Sequence, residues 1–591
     1  MELKFTGGLH ERDDINIRLE ECIEGKNFQI DAHASTWRPR LPFDLKGTAP
    51  NGVAVSGIAQ LIKRDNTDSL LVFAGSNVYS VNDDYAFTDV GDITTSTGMR
   101  GSYWSLDDRL IITDLDKLNK IHNWNGSTYE PNKHGIGNGT VTTATGYTGL
   151  GTSMHITHNS HGLSANDLVT ISNVSPTGWN GEHIVSTASA NGFTFTVSSS
   201  LATATGMLAF EKSVDLYAKY ALTWNGRVWL FNITTDSTDN PHMILASEYE
   251  NPDVFDTSQR ADIHTSGGYN GNEAFYMLTP DLKPINGVAL FFNTVIISTI
   301  DGRLFKITGS DITDYRIVEY YPGSAATGRE SITNTGNDIM WMKRGGKIDS
   351  LSAVETSGDV QADDLSRWIP NTASNISDSI AVYDEQRQLI HWFVNGKILT
   401  LNKLFLSERP DLSPWSVYET LHPYNFDTNC AVYIRIPGSN NYDVFFGGAG
   451  GELFKLNGTE NNGDAGTYSI VNQRKYAFVD NNVFPSKDTN ILGRVEYRKR
   501  GQADLALTFD WAEPDARSQS IVLLSGQSID PEANFWGGDN YYDNGIYYSE
   551  GSAPSNKVST KGFSPPGKGR GFFLNCELDT KVNFLINKLM L

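Results

Sequence analysis

The chain has 591 residues and a mass of 65.1 kDa, with 39% hydrophobic and 11% aromatic residues, so it can bury several cores and is not disordered. Its net charge of −22 and pI near 4.9 exclude the tight phosphate binding by which basic proteins hold nucleic acid. Plentiful Gly (55), Phe (28), Tyr (25) and Trp (12), without long stretches of 3.6-residue period, exclude a helical protein and predict an all-β fold.

Residues 1–47 carry little strand pattern and read as an extended N-terminal arm. Pro39 and Pro42 hold the segment around Trp37, Arg38 and Arg40 extended. Such an arm packs along its own chain or reaches a neighbour. Its first residues, M-E-L-K-F-T-G-G-L-H, lack an apolar stretch, so no secretory leader is expected. No run approaches the roughly 18 apolar residues of a membrane span. Cys22, Cys430 and Cys576 lie far apart in no metal or disulfide spacing, which fits folding in a reducing cytoplasm.

Strand-like runs begin near residue 52, at 53–62, 70–81, 103–113 and 118–124. Tight turns punctuate them, at Gly75-Ser76-Asn77 and Trp124-Asn125-Gly126, then at Trp224-Asn225-Gly226-Arg227 and Asp301-Gly302. Further copies are Gly345-Gly346-Lys347, Val394-Asn395-Gly396-Lys397 and Gly450-Gly451-Glu452. Asn-Gly or Asp-Gly between apolar runs marks a hairpin, because the turn needs positive φ. From Gly302 the copies fall 44, 50 and 55 residues apart, at Gly346, Gly396 and Gly451. That is the interval of a four-stranded propeller blade. Residues 48–136 and 213–460 therefore predict a β-propeller of six or seven blades.

Between these two parts the texture changes. Residues 137–212 are rich in Thr, Ser, Gly and Asn, with strands expected at 155–158, 168–171, 183–185 and 193–197. They predict a small β-barrel or sandwich inserted in a propeller loop and projecting from it. After residue 460 the repeat fades, and 461–591 holds longer alternating runs at 494–498, 505–511, 520–524, 572–578 and 582–591. A C-terminal β-sandwich is expected there.

Chemistry-bearing motifs are scarce. His155, His158 and His161 stand three apart, but on a strand this spacing sends the first two to opposite faces, so polar turn histidines are expected rather than metal ligands. The loop Asp539-Asn540-Tyr541-Tyr542-Asp543-Asn544-Gly545 lacks the ordered spacing of a calcium loop. A glycosidase would need two carboxylates about 5–10 Å apart, and sequence cannot select a pair from 69 Asp and Glu. Ser298-Thr299-Ile300-Asp301-Gly302 departs from the repeated turn of sialidase-type propellers, and no nucleophile elbow, phosphate loop or H-E-x-x-H occurs. No catalytic residue, cofactor or metal site is assigned, and no enzymatic activity is expected.

Two features carry a resemblance. One is the arm with Gly7-Gly8-Leu9, its acidic residues, Asn27-Phe28 and Arg38-Pro39-Arg40, followed by a propeller and a closing sandwich. The other is the inserted segment from His161 to Gly181, with the pattern H-G-L-x-x-x-D-x-V-x-I-S-x-V-x-P-x-G-x-N-G. The chain resembles the tail nozzle or hub proteins of short-tailed bacteriophages, also called tail tubular protein B or tail stabilisation proteins, and the insert is similar to a small β module of phage tail proteins. The resemblance implies a non-enzymatic ring of six copies in the virion tail, assembled in the host cytoplasm. Its partners would be other copies of itself, the tail adaptor, and fibres or spikes, with genomic DNA passing through the lumen unbound and no membrane span. Acidic walls would repel phosphate over about 8 Å at physiological salt and leave the genome free to slide. The alternative is a host-surface carbohydrate-binding adhesin, with Trp179, Trp536 and the Tyr-rich loop 536–548 as sugar platforms; a propeller glycoside hydrolase comes third.

Overall fold

The computed structural model of the chain describes residues 2–3, 7–11 and 21–458, apart from 32–35, 107, 131–134, 236–237, 254, 256–272, 301–302, 311, 313, 323–325, 327–329, 344, 354–359, 375, 377, 421–423 and 425. Beyond 458 it describes the backbone of the strands named below. Almost all regular structure is β, as expected, and it falls into two compact units: Ala49–Asn337, and Met1–Thr48 with Asp338–Leu591. Among the described residues the two units carry seven propeller-type blades, the larger of the two numbers predicted.

The unit Ala49–Asn337 holds four blades, each a four-stranded meander. The first runs through Val55–Ile62, Asp68–Ala74, Asn77–Val81 and Phe87–Asp92, and the second through Met99–Trp104, Arg109–Asp114, His122–Trp124 and Tyr129–Glu130. The third uses the end of Thr205–Trp224 with Arg227–Thr235, Thr238–Ala246 and Phe275–Leu278. Ile285–Phe291, Thr294–Thr299, Arg303–Thr308 and Arg316–Pro322 form the fourth. Apolar side chains of successive blades interleave: Trp229 and Phe231 of the third share a core with Val295, Ile297 and Phe305 of the fourth.

The turn chemistry explains the meanders. Asn225 (φ 48°) and Gly226 (φ 67°) sit between Trp224 and Arg227, which face each other across the hairpin. Asn395 (φ 47°) and Gly396 (φ 73°) repeat the geometry between Val394 and Lys397. Residues Asp301 and Gly302 lie outside the described residues, although Thr299 and Arg303 pair on either side of them. A further turn falls at the polar break between the apolar runs 288–292 and 295–300. Phe292 (φ 43°) and Asn293 (φ 55°) join Phe291 to Thr294, and a bulky residue rarely takes that conformation.

The inserted module lies between the second and third blades. Its strands Gly146–Thr157, Leu168–Ser175, Gly181–Ser189 and Gly192–Leu201 contain most of each predicted run; only His158, beyond the first, falls outside. Backbone bonds from Ala144 to Leu208 and Ala204 to Gly149 tie its first strands to its last, and one from Thr145 to Thr157 joins the two ends of Gly146–Thr157. Trp179, wholly buried, stands in a core of its own with Met154, Ile156, Val169, Ile171, Phe195 and Phe210. No loop or linker marks the return to the propeller. Thr205–Trp224 is a single strand of 20 residues. Its first half pairs with Leu168–Ser175 and Gly135–Thr143, and its second half pairs with the third blade.

The other unit holds three blades. Asp338–Met342, Ile348–Ala353 and Val360–Asp364 belong to the fifth; Ile380–Asp384, Leu389–Val394, Lys397–Asn402 and Trp415–Tyr418 form the sixth. The seventh takes Ala431–Arg435, Tyr442–Gly447 and Glu452–Lys455 from late in the chain. Its fourth strand is Asp44–Thr48, from near the beginning.

This differs from the expected arm. Within residues 22–48 lie four strands, Cys22–Lys26, Phe28–Asp31, Thr36–Pro39 and Asp44–Thr48, and they complete sheets built by the distant C-terminal part. Cys22–Lys26 pairs with Ile470–Tyr476, in a six-stranded sheet that also holds Gly571–Thr580, Ala503–Trp511, Gln519–Leu524 and Val479–Asp480. Phe28–Asp31 and Thr36–Pro39 form a hairpin in the second six-stranded sheet, beside Phe584–Met590, Gly493–Lys499, Ser559–Phe563 and Glu2–Leu3. Strands of four or five residues are too short to show period-2 alternation, and the partners of Cys22–Lys26, of Asp44–Thr48 and of Thr36–Pro39 on its outer side lie over 400 residues away in sequence.

Candidate functional site

The arm is anchored by polar groups as well as strands. Gly8 N donates to Ser413 O at 2.8 Å and Leu9 N to Trp415 O at 2.9 Å. The buried Glu21 carboxylate accepts from Ser413 N at 2.6 Å and meets His10 Nδ1 at 2.7 Å. Glu11 accepts the Asn371 and Thr372 amides, each at 2.8 Å. Beside these contacts lies a cleft of about 310 Å³, lined by Glu11, Glu24, Lys26, Thr372, Lys397 and Glu419 among others. Lys397 Nζ reaches Glu419 at 2.6 Å and Lys26 Nζ reaches it at 3.9 Å, so much of the cleft's charge is compensated within the chain.

Where the sixth and seventh blades meet, two carboxylates do come together. Asn457 Nδ2 donates to Asp443 Oδ1 at 2.6 Å and to Asp384 Oδ2 at 3.2 Å. Arg387 donates to Asp384 through its amide (3.1 Å) and Nη1 (2.9 Å), and its Nη2 lies 3.7 Å from Asp443. Burial pushes the Asp443 carboxyl up against the pull of Arg387. Burial also lowers the neighbouring His391 to about 4, so its imidazole is neutral, and it meets Thr400 Oγ1 at 2.9 Å. Paired carboxylates are what glycoside hydrolysis requires. Here Asp384 is 0% and Asp443 2% exposed, with donors of the chain itself on their oxygens, so the cluster locks two blades together and offers no surface to a substrate.

The module's histidines are separate structural groups. His155 is exposed and meets Thr194 Oγ1 at 3.1 Å, while His158 lies edge-on to Phe210 at 5.4 Å. His161 accepts the Leu163 amide at Nδ1 (3.0 Å), which leaves the proton on Nε2 to donate to Ser189 O (2.6 Å). Among the described residues no three His, Cys, Asp or Glu side chains stand close enough to hold a metal.

The module motif turns out to be a folding code. Gly162 takes φ 69° beside His161. Asp167 accepts the Ser164 amide at 2.8 Å and pairs with Lys212 at 3.1 Å. Asn180 bonds both backbone groups of Val174, accepting from N at 2.9 Å and donating to O at 2.8 Å, as a neighbouring strand would. His183 stacks on Phe195 at 4.2 Å, and burial lowers its pKa. Trp179 donates its indole N–H to Ala202 O within the core, so it cannot be the exposed sugar platform expected of it. Trp536, the loop 536–548 and Asp539–Gly545 within it lie outside the described residues. A shallow hollow of about 520 Å³ opens on the module surface between residues 160–165 and 188–190.

No family model matches the chain, and no curated protein matches it. Solved structures similar to it are propellers. Virginiamycin B lyase from Staphylococcus aureus is 12% identical, with a TM-score of 0.37, over 70% of this chain and 98% of that one. The WD40 propeller of Doa1 is 8% identical (TM-score 0.35; 70% and 96%), and the phage phi92 endosialidase 11% (TM-score 0.30; 71% and 70%). The lyase and the endosialidase are enzymes, but likenesses this remote decide nothing about what the chain does. No described helix is long and apolar enough to cross a membrane.

Proposed function

We propose that this chain is a structural, non-enzymatic component of a short-tailed phage tail, a nozzle or hub protein that assembles as a ring, continues the DNA channel and docks fibres or spikes. The observation that carries the reading is the His161–Gly181 motif, carried between blades of a propeller in a chain whose early strands join sheets with those beyond residue 458. The charge of −22 supports the mechanism: duplex DNA carries a charge about every 1.7 Å of its axis, and an acidic wall lets it pass without ion pairs. The adhesin alternative loses Trp179 to the module core.

Electron microscopy of tails carrying a labelled copy of the chain tests this directly. A label on the tail axis, with a sixfold native mass for the purified assembly, is the expected outcome; a label away from the axis overturns the conduit, and a trimer points to a fibre or spike. The isolated protein should bind duplex DNA no more tightly than other acidic proteins at about 0.15 M salt, and sub-micromolar binding overturns the sliding mechanism.

A further inference from the structure

Charge is distributed very unevenly along the chain. Residues 134–210 contain two charged residues in 77, Asp167 and Glu182, whereas the other 514 contain 114. One of the two, Asp167, is paired with Lys212. The same module carries the two most exposed large apolar side chains among the described residues, Met207 (75%) and Leu150 (70%). Backbone and side-chain bonds draw their neighbours together: Ala204 N donates to Gly149 O at 2.9 Å, and the Tyr147 hydroxyl donates to Gly206 O. Neither Leu150 nor Met207 belongs to the module core, which is complete around Trp179 without them.

We infer that this uncharged face of the module, with Leu150 and Met207 as its apolar anchors, is a contact through which one copy of the chain holds another. Chains of charge −22 repel as they approach, and a like-charge juxtaposition at an interface costs affinity. A neutral, partly apolar face is where two such chains meet without that cost. The mounting fits the role. Because Thr205–Trp224 runs unbroken from module to third blade, the face is held on a pre-formed element, and little ordering entropy is lost when a second copy docks. The inference rests on the ring reading and adds the surface and the partner.

The test uses the full chain. Sedimentation velocity over a range of concentrations, at 0.15 and 1 M salt, compares the wild type with L150E/M207E and with L282E/I300E. Leu282 and Ile300 are also exposed (59% and 50%) but lie in the propeller. The expected result is a wild-type assembly that persists in high salt, an intact L282E/I300E assembly, and self-association weaker by about tenfold or more in L150E/M207E. Its unfolding midpoint should be unchanged. Equal assembly of L150E/M207E and wild type overturns this inference and leaves the ring standing; a wild type that stays monomeric overturns the ring and this contact with it. Should L150E/M207E unfold, maleimide labelling of M207C, read by peptide mass, decides between the outcomes. Protection of that thiol on assembly supports the contact, and equal labelling of free and assembled chains overturns it.

Discussion

The seventh blade and the inserted module are both small antiparallel β structures, held together in opposite ways. The blade gathers Asp44–Thr48 and Ala431–Lys455, strands almost 400 residues apart, and joins them with buried aromatic rings and buried charges. The module is nearly continuous in sequence and almost free of charge, and its side chains repair its own backbone. A structure assembled from distant segments needs strong anchors at the junction. One assembled locally can rely on turn chemistry and a modest core.

The largest effect should come from removing the blade's anchor. Phe43, wholly buried just before Asp44, packs edge-on against Phe454 (5.2 Å), Phe426 (5.5 Å) and Phe446 (5.7 Å). Phe43→Ala should cost about 3–5 kcal/mol in denaturant unfolding. A loss below about 1 kcal/mol would mean that the strand docks without its anchor, and the contrast with the module would fail.

Acid should act next. His391 is wholly buried and lowered to about 4, against about 6.5 in the unfolded chain. Its neutral form therefore supports the fold above pH 6.5, and that support drains away as pH falls from 6.5 towards 4, because only the unfolded chain then takes up the proton. Between pH 7 and 4.5 the wild type should lose about 2 kcal/mol or more beyond the loss in a His391→Gln variant. Parallel pH profiles for the two proteins would remove His391 from the account.

Excising the module should have the smallest effect. Thr143 faces Ala209 across the ribbon, so replacing residues 144–208 by Asn-Gly makes a two-residue hairpin at a point where the chain already turns back. Because closure entropy changes only as the logarithm of loop length, the propeller's unfolding midpoint should shift by no more than about 1 kcal/mol equivalent. An insoluble product, or one without a cooperative transition, would make the module part of the propeller core.

The contrast also accounts for what the sequence disclosed. Turns built on Asn225-Gly226 and Asn395-Gly396 were legible because positive φ leaves a chemical signature. The module strands were legible because residues 137–212 fold on themselves. The destinations of Cys22–Lys26, Thr36–Pro39 and Asp44–Thr48 were not, since pairing across more than 400 residues leaves no local pattern. At Phe292-Asn293 the sequence shows only a polar break, because Phe is an unusual choice for a positive-φ turn. The cluster of Asp384, Asp443 and Asn457 was illegible for the same reason as the blade: its members meet only after the sheets form. Trp179 was misplaced because an aromatic residue beside Gly178 and Asn180 reads as a loop tip when its core cannot be seen.

The strand Asp44–Thr48 has a consequence for synthesis. Its partner, Glu452–Lys455, leaves the ribosome about 400 residues later, which at roughly 5–20 residues per second is a wait of about 20–80 s. Throughout that interval the nascent chain carries Phe43 and an unpaired strand edge with nowhere to bury them. On a crowded polysome the nearest matching seventh blade can belong to the ribosome ahead, so the joint that secures the finished protein is also where two growing chains can exchange strands.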